Sequence, residues 1–262
     1  MTALEVGRRF SGAARSYETA SPVQDEVART VISLVPSDVA NPSRALDVGC
    51  GSGRLTALLR ARWPEAEITG LDLADGMLAE ARRRFAEDPH LHLRLGDAAH
   101  YEDAPFDLVV SGSALQWLNP LAPALAHLAT LVKPAGAFVA GIMTRPTLHE
   151  LHEVRDAVAP LKRAHRRLPT LVDVRDALAG LSTMRLLSLT ERTWTSSYAD
   201  VPRFLRALRD AGVTGGDLSR GTAPLSRGEL QELIALYARR FADPAGRVHA
   251  TYGAAFCVLK KV

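Results

Sequence analysis

Three acidic residues accompany a glycine-rich segment in the front half of the chain. Residues Ala45–Arg54 read ALDVGCGSGR, with glycines at positions 49, 51 and 53. Glycines at this spacing let the backbone turn sharply and let a ligand approach it closely. Asp47, Asp72 and Asp97 end or follow three successive predicted strands. Carboxylates placed there can accept hydrogen bonds from ribose hydroxyls or a purine amino group, or balance a cation.

The glycine spacing separates two kinds of nucleotide site. A dinucleotide fingerprint, G-x-G-x-x-G, would need its third glycine at position 54, where this chain has Arg54. Asp47 is a poor neighbour for a pyrophosphate but suits a ligand with an ammonium and a sulfonium group. Asp72 lies 19 residues after Gly53 and can accept both ribose hydroxyls, and Asp97 can accept from an adenine amino group. A single acid at a strand end is commonly structural, but three in succession favour a binding site.

Apolar strand-like runs alternate with amphipathic helical runs, which predicts a parallel sheet with helices on both faces. Asp75 is the predicted N-cap of one helix, and Pro134-Ala135-Gly136 is a predicted turn before the fifth strand. The predicted strands of this half are Arg44–Val48, Glu67–Asp72, Leu91–Leu95, Phe106–Ser111 and Ala137–Met143, and the helices are Gly53–Arg62, Asp75–Phe85 and Ala122–Leu131.

The pattern changes after Met143. We expect one domain over residues 1–262, with an N-terminal helical lid (1–35), a ligand-binding core (40–143) and helical insertions at 147–180 and 199–241. The second half is predicted to hold strands at Arg185–Ser196 and Arg247–Lys260 and helices near Val201–Ala211 and Arg227–Phe241.

Composition excludes several classes of protein. With 262 residues, 47% hydrophobic and 23% charged, the chain is not wholly disordered. No apolar run approaches the roughly 20 residues that span a bilayer, and the start lacks the apolar core of a secretory signal. We therefore expect a cytoplasmic protein without a membrane partner. Cys50 and Cys257 make no disulfide framework, and His149 and His152 are spaced one residue too closely for a zinc H-E-x-x-H motif, so no metal site is assigned.

Charge is divided unevenly along the chain. Residues 1–140 hold 13 Lys/Arg and 17 Asp/Glu, a net charge of −4, whereas residues 141–262 hold 19 and 12, a net charge of +7; together these give +3. A basic second half can meet an acidic partner, or it can be an arginine-rich solvated surface.

Four segments, LDVGCGSG, GLDLADGML, LGDA and FDLVVSGSALQWL, resemble the successive motifs of class I S-adenosylmethionine-dependent methyltransferases. The resemblance covers residues 40–143. It implies an α/β, Rossmann-like fold with a seven-stranded, mostly parallel sheet, an antiparallel last strand and the methyl donor at the carboxyl ends of the strands. Matched position by position, it implies that Asp47, Gly49 and Gly51 surround the methionine portion, that Asp72 holds the ribose, that Asp97 and Ala98 hold the adenine, and that Ser111 lies beside the sulfonium end. Leu73 and Met77 are also implied to contact the donor.

The segment FSGAARSYE at 10–18 is similar to the opening of malonyl-acyl-carrier-protein O-methyltransferases of biotin synthesis, where it closes over the donor. Segments beginning at Thr147, Leu208 and Pro224 follow in the order of that family. The resemblance implies esterification of the free carboxylate of a malonyl thioester, which masks its charge for elongation toward a pimeloyl precursor of biotin. The family often has an arginine where this chain has Gly12, and Arg15, one turn on, is a possible substitute.

Carboxylate methylation needs no general base, because the acceptor is already ionised near neutral pH. It does need an oriented carboxylate, for which an arginine is suited. Arg145, after the fifth strand, and Arg209 are the candidates, although either can equally be a surface residue. Tyr17 can cap the donor, touch the acceptor or pack in the core. Gln116 and Trp117 can line a channel for the thioester, or Trp117 can simply pack in the hydrophobic core.

An acyl carrier protein is the implied partner. Such carriers are acidic, and Lys162, Arg163, Arg166 and Arg167 form a basic cluster that can steer one to the site, or simply face solvent. A nucleic-acid substrate is disfavoured, since the N-P-P-Y/F motif of base methylases is replaced by Ser111-Gly112-Ser113. Two alternatives stay open: a small-molecule carboxyl methyltransferase acting on a di- or tricarboxylic acid, and a non-catalytic S-adenosylmethionine-binding regulator.

Overall fold

The computed structural model describes residues 3–20, 22–162, 167–212 and 223–262. Within these residues, one seven-stranded sheet has the order β3-β2-β1-β4-β5-β7-β6. β7 alone runs opposite to the other six strands of this sheet, which confirms the predicted Rossmann-like class. The strands are β1 (Arg44–Val48), β2 (Glu67–Asp72), β3 (Leu91–Leu95), β4 (Phe106–Gly112), β5 (Val132–Met143), β6 (Met184–Tyr198) and β7 (Val248–Lys261).

Helices cover both faces of the sheet. Apolar residues of α2, α3, α8 and α9 fill one side of the central strands, and those of α5 and α7 fill the other. Central strands buried on both faces are near-continuously apolar, as in β4 and β7, whose side chains are almost all buried. The helices are α1 (Ala3–Ala20), α2 (Pro22–Ser33), α3 (Arg54–Arg62), α4 (Asp75–Arg84), α5 (Leu121–Thr130), α6 (His149–Val158), α7 (Leu171–Ala179), α8 (Val201–Asp210) and α9 (Arg227–Phe241).

Two local predictions are wrong. Ala74, not Asp75, is the N-cap of α4, and Asp75 occupies the first helical position without a capping hydrogen bond. The segment Pro134–Gly136 does not separate two elements, because β5 already begins at Val132. It forms an irregularity within β5, where Ala135 has φ +58° and the pairing with β4 shifts register.

The N-terminal helix and the inserted helices pack on neighbouring helices. Helix α1 packs against α4 and α8, while α6 packs on α9 and α7 on α5. No helix in the described part of the chain combines the length and apolar character needed to cross a membrane.

Candidate active site

A cleft of about 720 Å³ opens at the carboxyl ends of β1 to β4, and we call it the donor cleft. Loops after parallel strands converge at this edge, which is the usual ligand site of open α/β sheets. Its walls come from the loops after these four strands and from α1. The lining residues are Val6, Phe10, Val48, Gly49, Gly51, Leu71, Asp72, Leu73, Met77, Gly96, Asp97, Ala98, Gly112, Ser113, Ala114, Leu115, Trp117 and Leu118.

The glycine-rich turn between β1 and α3 forms the floor of the donor cleft. Gly49, Gly51 and Gly53 have φ values of +70°, +56° and +88°, a region that side chains disfavour. The backbone N–H of Gly49 donates to Leu71 O at 2.7 Å, which ties the turn to β2. A Cβ on Gly49 would lie 2.2 Å from the Cβ of Ala114, so glycine is required where the two loops meet.

Asp72 ends β2 and joins two walls of the donor cleft. Its Oδ2 accepts from the N–H of Gly51 at 2.7 Å, and its Oδ1 accepts from the N–H of Ala74 at 2.8 Å. Burial raises the pKa of this carboxyl, and the backbone hydrogen bonds oppose that shift. Each oxygen keeps a lone pair beyond these contacts, so the carboxylate can also accept from hydroxyl groups of a ligand.

Asp97 lies in the cleft wall after β3, beside Ala98. Its Oδ1 accepts from the N–H of Ala99 at 2.9 Å, and its Oδ2 lies 3.6 Å from His100 Nδ1. The carboxylate is therefore held in place locally and remains partly exposed. The structure brings two of the three predicted acids, Asp72 and Asp97, into the lining of one cleft.

Asp47 and Ser111 lie behind the lining rather than in it. Asp47 is fully buried, its Oδ2 accepts from Thr56 Oγ1 at 2.6 Å, and its Oδ1 has no hydrogen-bond partner in the described structure. Burial, opposed by the Thr56 hydrogen bond and reinforced by Asp72, raises the pKa of Asp47 to about 7. Ser111 is also fully buried and donates to Val48 O at 2.8 Å.

The raised pKa of Asp47 makes stability depend on pH. Because the folded pKa lies above the ordinary value of 3.8, its contribution is fully present below that value and is lost as pH rises through about 7. In the ligand-free protein, the unfolding free energy of wild type minus that of Asp47→Asn should fall by about 2–3 kcal/mol between roughly pH 5 and pH 7.5. Urea unfolding of both proteins measures this difference, and equal differences at the two pH values would contradict it.

Helix α1 forms the roof of the donor cleft. Val6 and Phe10 line it, and the Phe10 ring meets Trp117 edge-on, with centroids 5.5 Å apart. The helix approaches α4 closely, since a Cβ on Gly76 would lie 2.6 Å from Ser11 O. The sequence indicated this segment through its resemblance, but neither Val6 nor the glycine contact was predicted. Tyr17 is in α1 among residues whose side chains are not described.

A second cleft, of about 1000 Å³, adjoins the donor cleft, and Leu118 lines both. Gln116 lies in its wall, donating through Nε2 to Ser113 O at 2.6 Å, so it braces the loop between the clefts. Arg145 lines this second cleft and not the donor cleft. Arg209 is exposed on α8 and lines neither. The second cleft is lined by Gln116, Leu118, Pro120, Leu121, Ala122, Arg145, Arg167, Leu168, Pro169, Asp173, Asp176 and Ala177.

The residues of the donor cleft fit S-adenosylmethionine. The described lining contains two carboxylates and no lysine or arginine, which suits a cationic ligand and disfavours a pyrophosphate. The unpartnered Oδ1 of Asp47 adds negative character beneath the glycine turn. Apolar residues of α1 and the loop after β4 supply surfaces for the uncharged parts of the ligand.

Comparison of the fold with solved structures agrees with this site. YcgJ from Bacillus subtilis superposes with a TM-score of 0.61 at 15% identity, covering 91% of this chain and 97% of that one. A putative methyltransferase from Bacillus halodurans gives 0.62 at 14% identity, covering 90% and 99%. At this identity the likeness shows the fold.

Sequence comparison identifies the family. A methyltransferase domain family matches residues 46–140. The malonyl-(acyl-carrier protein) O-methyltransferase of Geobacter sulfurreducens is 32% identical over 98% of both chains. That of Serratia marcescens is 32% identical over 95% of this chain and 93% of its own length. The protein is an enzyme whose methyl donor is S-adenosylmethionine. The chain belongs to the malonyl-(acyl-carrier protein) O-methyltransferase family.

Proposed function

We propose that the protein methylates the free carboxylate of a malonyl group held as a thioester on an acyl carrier protein, at the start of pimeloyl assembly for biotin. The observation that carries this proposal is the extent of the match to the Geobacter sulfurreducens relative, which spans 98% of both chains. It therefore includes α1 and the helices after β5, outside the general domain at 46–140. Acceptor recognition must come from such added segments, because the shared core serves many acceptors.

On this proposal the donor cleft holds S-adenosylmethionine, which supplies an electrophilic methyl group when bound. Asp72 accepts from the ribose hydroxyls, and Asp97 with the backbone at Ala98 holds the adenine. Gly49 and Gly51 leave room for the methionine portion. Asp47 acts from behind, because a cation bound above the turn favours the ionised form of this carboxyl, and Ser111 fixes the end of β4 through Val48.

The acceptor carboxylate is ionised near neutral pH, so the chain needs no general base. Its task is to orient one carboxylate oxygen and to exclude water. Phe10, Trp117 and Leu118 provide an apolar enclosure. Ser113 lies in the lining after β4, where its Oγ donates to Met143 Sδ at 3.6 Å. A thioether sulfur is a weak acceptor, so we assign Ser113 as a neutral donor that turns to the acceptor carboxylate.

Transfer of a labelled methyl group from S-adenosylmethionine tests the reaction. Malonyl-acyl carrier protein, malonyl-coenzyme A, free malonate and tRNA are compared as acceptors, and base-labile methanol is scored. Label on the malonyl carrier that base releases supports the proposal. Label confined to free di- or tricarboxylic acids would favour a small-molecule enzyme, and donor binding without any transfer would favour a regulator.

The carrier is proposed to dock at the basic cluster around residues 162–167. Lys162 pairs with Glu229 at 2.7 Å and Arg167 with Asp156 at 2.6 Å, so both described members already have acidic neighbours. Arg163 and Arg166 lie outside the described residues. The proposal rests on the density of positive charge in this segment and on the acidity of carrier proteins.

Reversing Arg163 and Arg166 to glutamate should raise KM for the malonyl carrier by roughly three- to tenfold at low salt, because exposed charges contribute about 1 kcal/mol or less each. KM for malonyl-coenzyme A should change less, and the difference should shrink at high salt. Steady-state kinetics measure both substrates. The control reverses Arg185 and Arg192 on β6. An equal rise in KM for both substrates after the reversal of Arg163 and Arg166 would contradict the docking proposal.

A further inference from the structure

The second cleft lies on the flank of the donor cleft opposite the adenine-side acid. In the order β3-β2-β1-β4-β5, Asp72 and Asp97 follow β2 and β3, at one end. The second cleft is built from residues after β4 and β5, including Gln116 and Arg145, at the other end. Leu118 lines both clefts. An acceptor lying in the second cleft therefore approaches the donor from the side of β4.

The second cleft combines an apolar wall with a few charged groups. Leu121, Ala122, Leu168 and Ala177 contribute carbon surface, and two arginines and two aspartates contribute charge. Its lining residues come from the loop after β4, from α5, from the end of β5 and from α7, so the cleft extends well beyond the loop that it shares with the donor cleft. The space suits a long, mostly neutral chain that carries one anionic group.

Three of the four charged residues that line this cleft are unsuited to binding an anion, because they already have a partner or carry negative charge. Arg167 pairs with Asp156 at 2.6 Å. Asp173 completes the capping box of α7, its Oδ2 accepting from the N–H and the Oγ1 of Thr170, both at 2.7 Å. Asp176 is exposed in the cleft wall and would repel an anion nearby.

Arg145 is the cation that remains available. Its backbone N–H donates to Pro169 O at 2.9 Å, which fixes the start of its side chain at the end of β5. Its exposed guanidinium is near enough to Asp173 to lower the pKa of that carboxyl, but no direct ion pair of Arg145 is formed within the described ranges. A guanidinium with free donors binds phosphate oxygens as a fork.

We infer that the second cleft holds the phosphopantetheine arm of the acceptor, and that Arg145 binds its phosphodiester. This inference rests on the proposed function, whose acceptor is such a thioester. The phosphodiester and the malonyl carboxylate are at opposite ends of the arm. Arg145 lies outside the donor cleft, so it recognises the far end of the acceptor and does not clamp the reacting carboxylate.

Calorimetric titration of the full chain, saturated with S-adenosylhomocysteine, tests the site without turnover. Phosphopantetheine should bind about tenfold more tightly than pantetheine, since a charge-assisted hydrogen bond contributes on that order. Arg145→Ala should abolish this preference, and Arg145→Lys should retain part of it. Asp176→Asn should tighten phosphopantetheine binding by roughly two- to fivefold, because it removes a repelling charge. Arg175→Ala, on α7 but outside the cleft lining, is the matched control.

Turnover gives a second, independent readout. Arg145→Ala should raise KM for malonyl-phosphopantetheine by about tenfold, leave KM for malonyl-pantetheine unchanged, and preserve kcat for both. An equal fall of kcat for the two substrates would place Arg145 at the reacting carboxylate and overturn the inference. So would a wild-type protein that binds both ligands equally.

The two proposals can fail separately. If the wild type methylates malonyl thioesters but shows no preference for the phosphate, the arm site is refuted and the proposed function stands. If the wild type methylates neither thioester but prefers phosphopantetheine through Arg145, the proposed function is refuted and the arm site is supported.

Discussion

Replacing Asp72 with alanine is expected to weaken S-adenosylmethionine binding by roughly 10- to 150-fold, because a charged hydrogen-bond acceptor contributes about 1.5–3 kcal/mol. The substitution removes the proposed acceptor of the ribose hydroxyls. It also leaves the N–H groups of Gly51 and Ala74 without the oxygens that fix two walls of the cleft. Both losses act in the same direction, so we expect the upper part of this range.

Isothermal titration with S-adenosylmethionine measures the effect, and circular dichroism checks the fold. Asp75→Ala is the matched control, because Asp75 carries the same charge three residues further along but is exposed and forms only a 3.4 Å pair with Arg82. It should bind the donor as wild type does. Asp72→Asn should fall between wild type and Asp72→Ala, since one oxygen is retained. Unchanged affinity in Asp72→Ala would remove this residue from the donor site.

Replacing Gly49 with alanine is expected to raise the Kd for the donor on the order of 100-fold and to lower the unfolding free energy by about 2–4 kcal/mol. Gly49 has φ +70°, which is costly for alanine. The new Cβ would lie 2.2 Å from the Cβ of Ala114. Because Ala114 lines the donor cleft, the loop after β4 must shift and distort the wall that contacts the ligand.

Gly246→Ala separates the effect of positive φ from the effect of the contact with Ala114. Gly246 also has positive φ, +77°, but a Cβ there meets no atom within 4 Å and the residue lies in the turn before β7. This control should lose about 1–2 kcal/mol of stability and keep its donor affinity. Denaturant unfolding and donor titration are run on both variants. A Gly49→Ala protein that binds the donor normally would show that the contact with Ala114 does not shape the cleft.

The strands of the donor core could be predicted closely from sequence. β1, β2 and β3 begin and end at the predicted residues. The first two are short, buried apolar runs bounded by turns, and the edge strand β3 alternates leucine with polar residues. The antiparallel β7 was implied by the resemblance, and strand order is a tertiary property that no local pattern encodes. The irregularity in β5 was missed, since Pro134 and Gly136 favour a turn locally while pairing with β4 extends the strand through them.

The predicted donor-binding side chains differ in whether they line the cleft in the structure. Asp72 is the last residue of β2 and Asp97 follows β3, so both reach the cleft. Asp47 and Ser111 each precede the final residue of their strands and are buried among neighbouring strands. A side chain one residue before the end of a strand thus supports the cleft from behind, whereas one at the end of the strand or after it lines the cleft.

The acceptor side could not be predicted in the same way. From sequence, Arg145 was a candidate for orienting the acceptor carboxylate because it follows β5. In the structure it lines the second cleft, whose wall also depends on α5 and α7. Contacts between segments distant in sequence decide which cleft a side chain enters, and composition or periodicity does not report them.

Intact-mass spectrometry of an acyl carrier protein tests the central claim most directly. The carrier is loaded with malonyl or with acetyl and incubated with S-adenosylmethionine and this protein. The account predicts that the malonyl carrier gains the mass of one methyl group, which mild base removes. The acetyl carrier, which lacks a free carboxylate, should not change. A methyl gain on both carriers, or on neither while the donor is bound, would contradict malonyl carboxyl methylation.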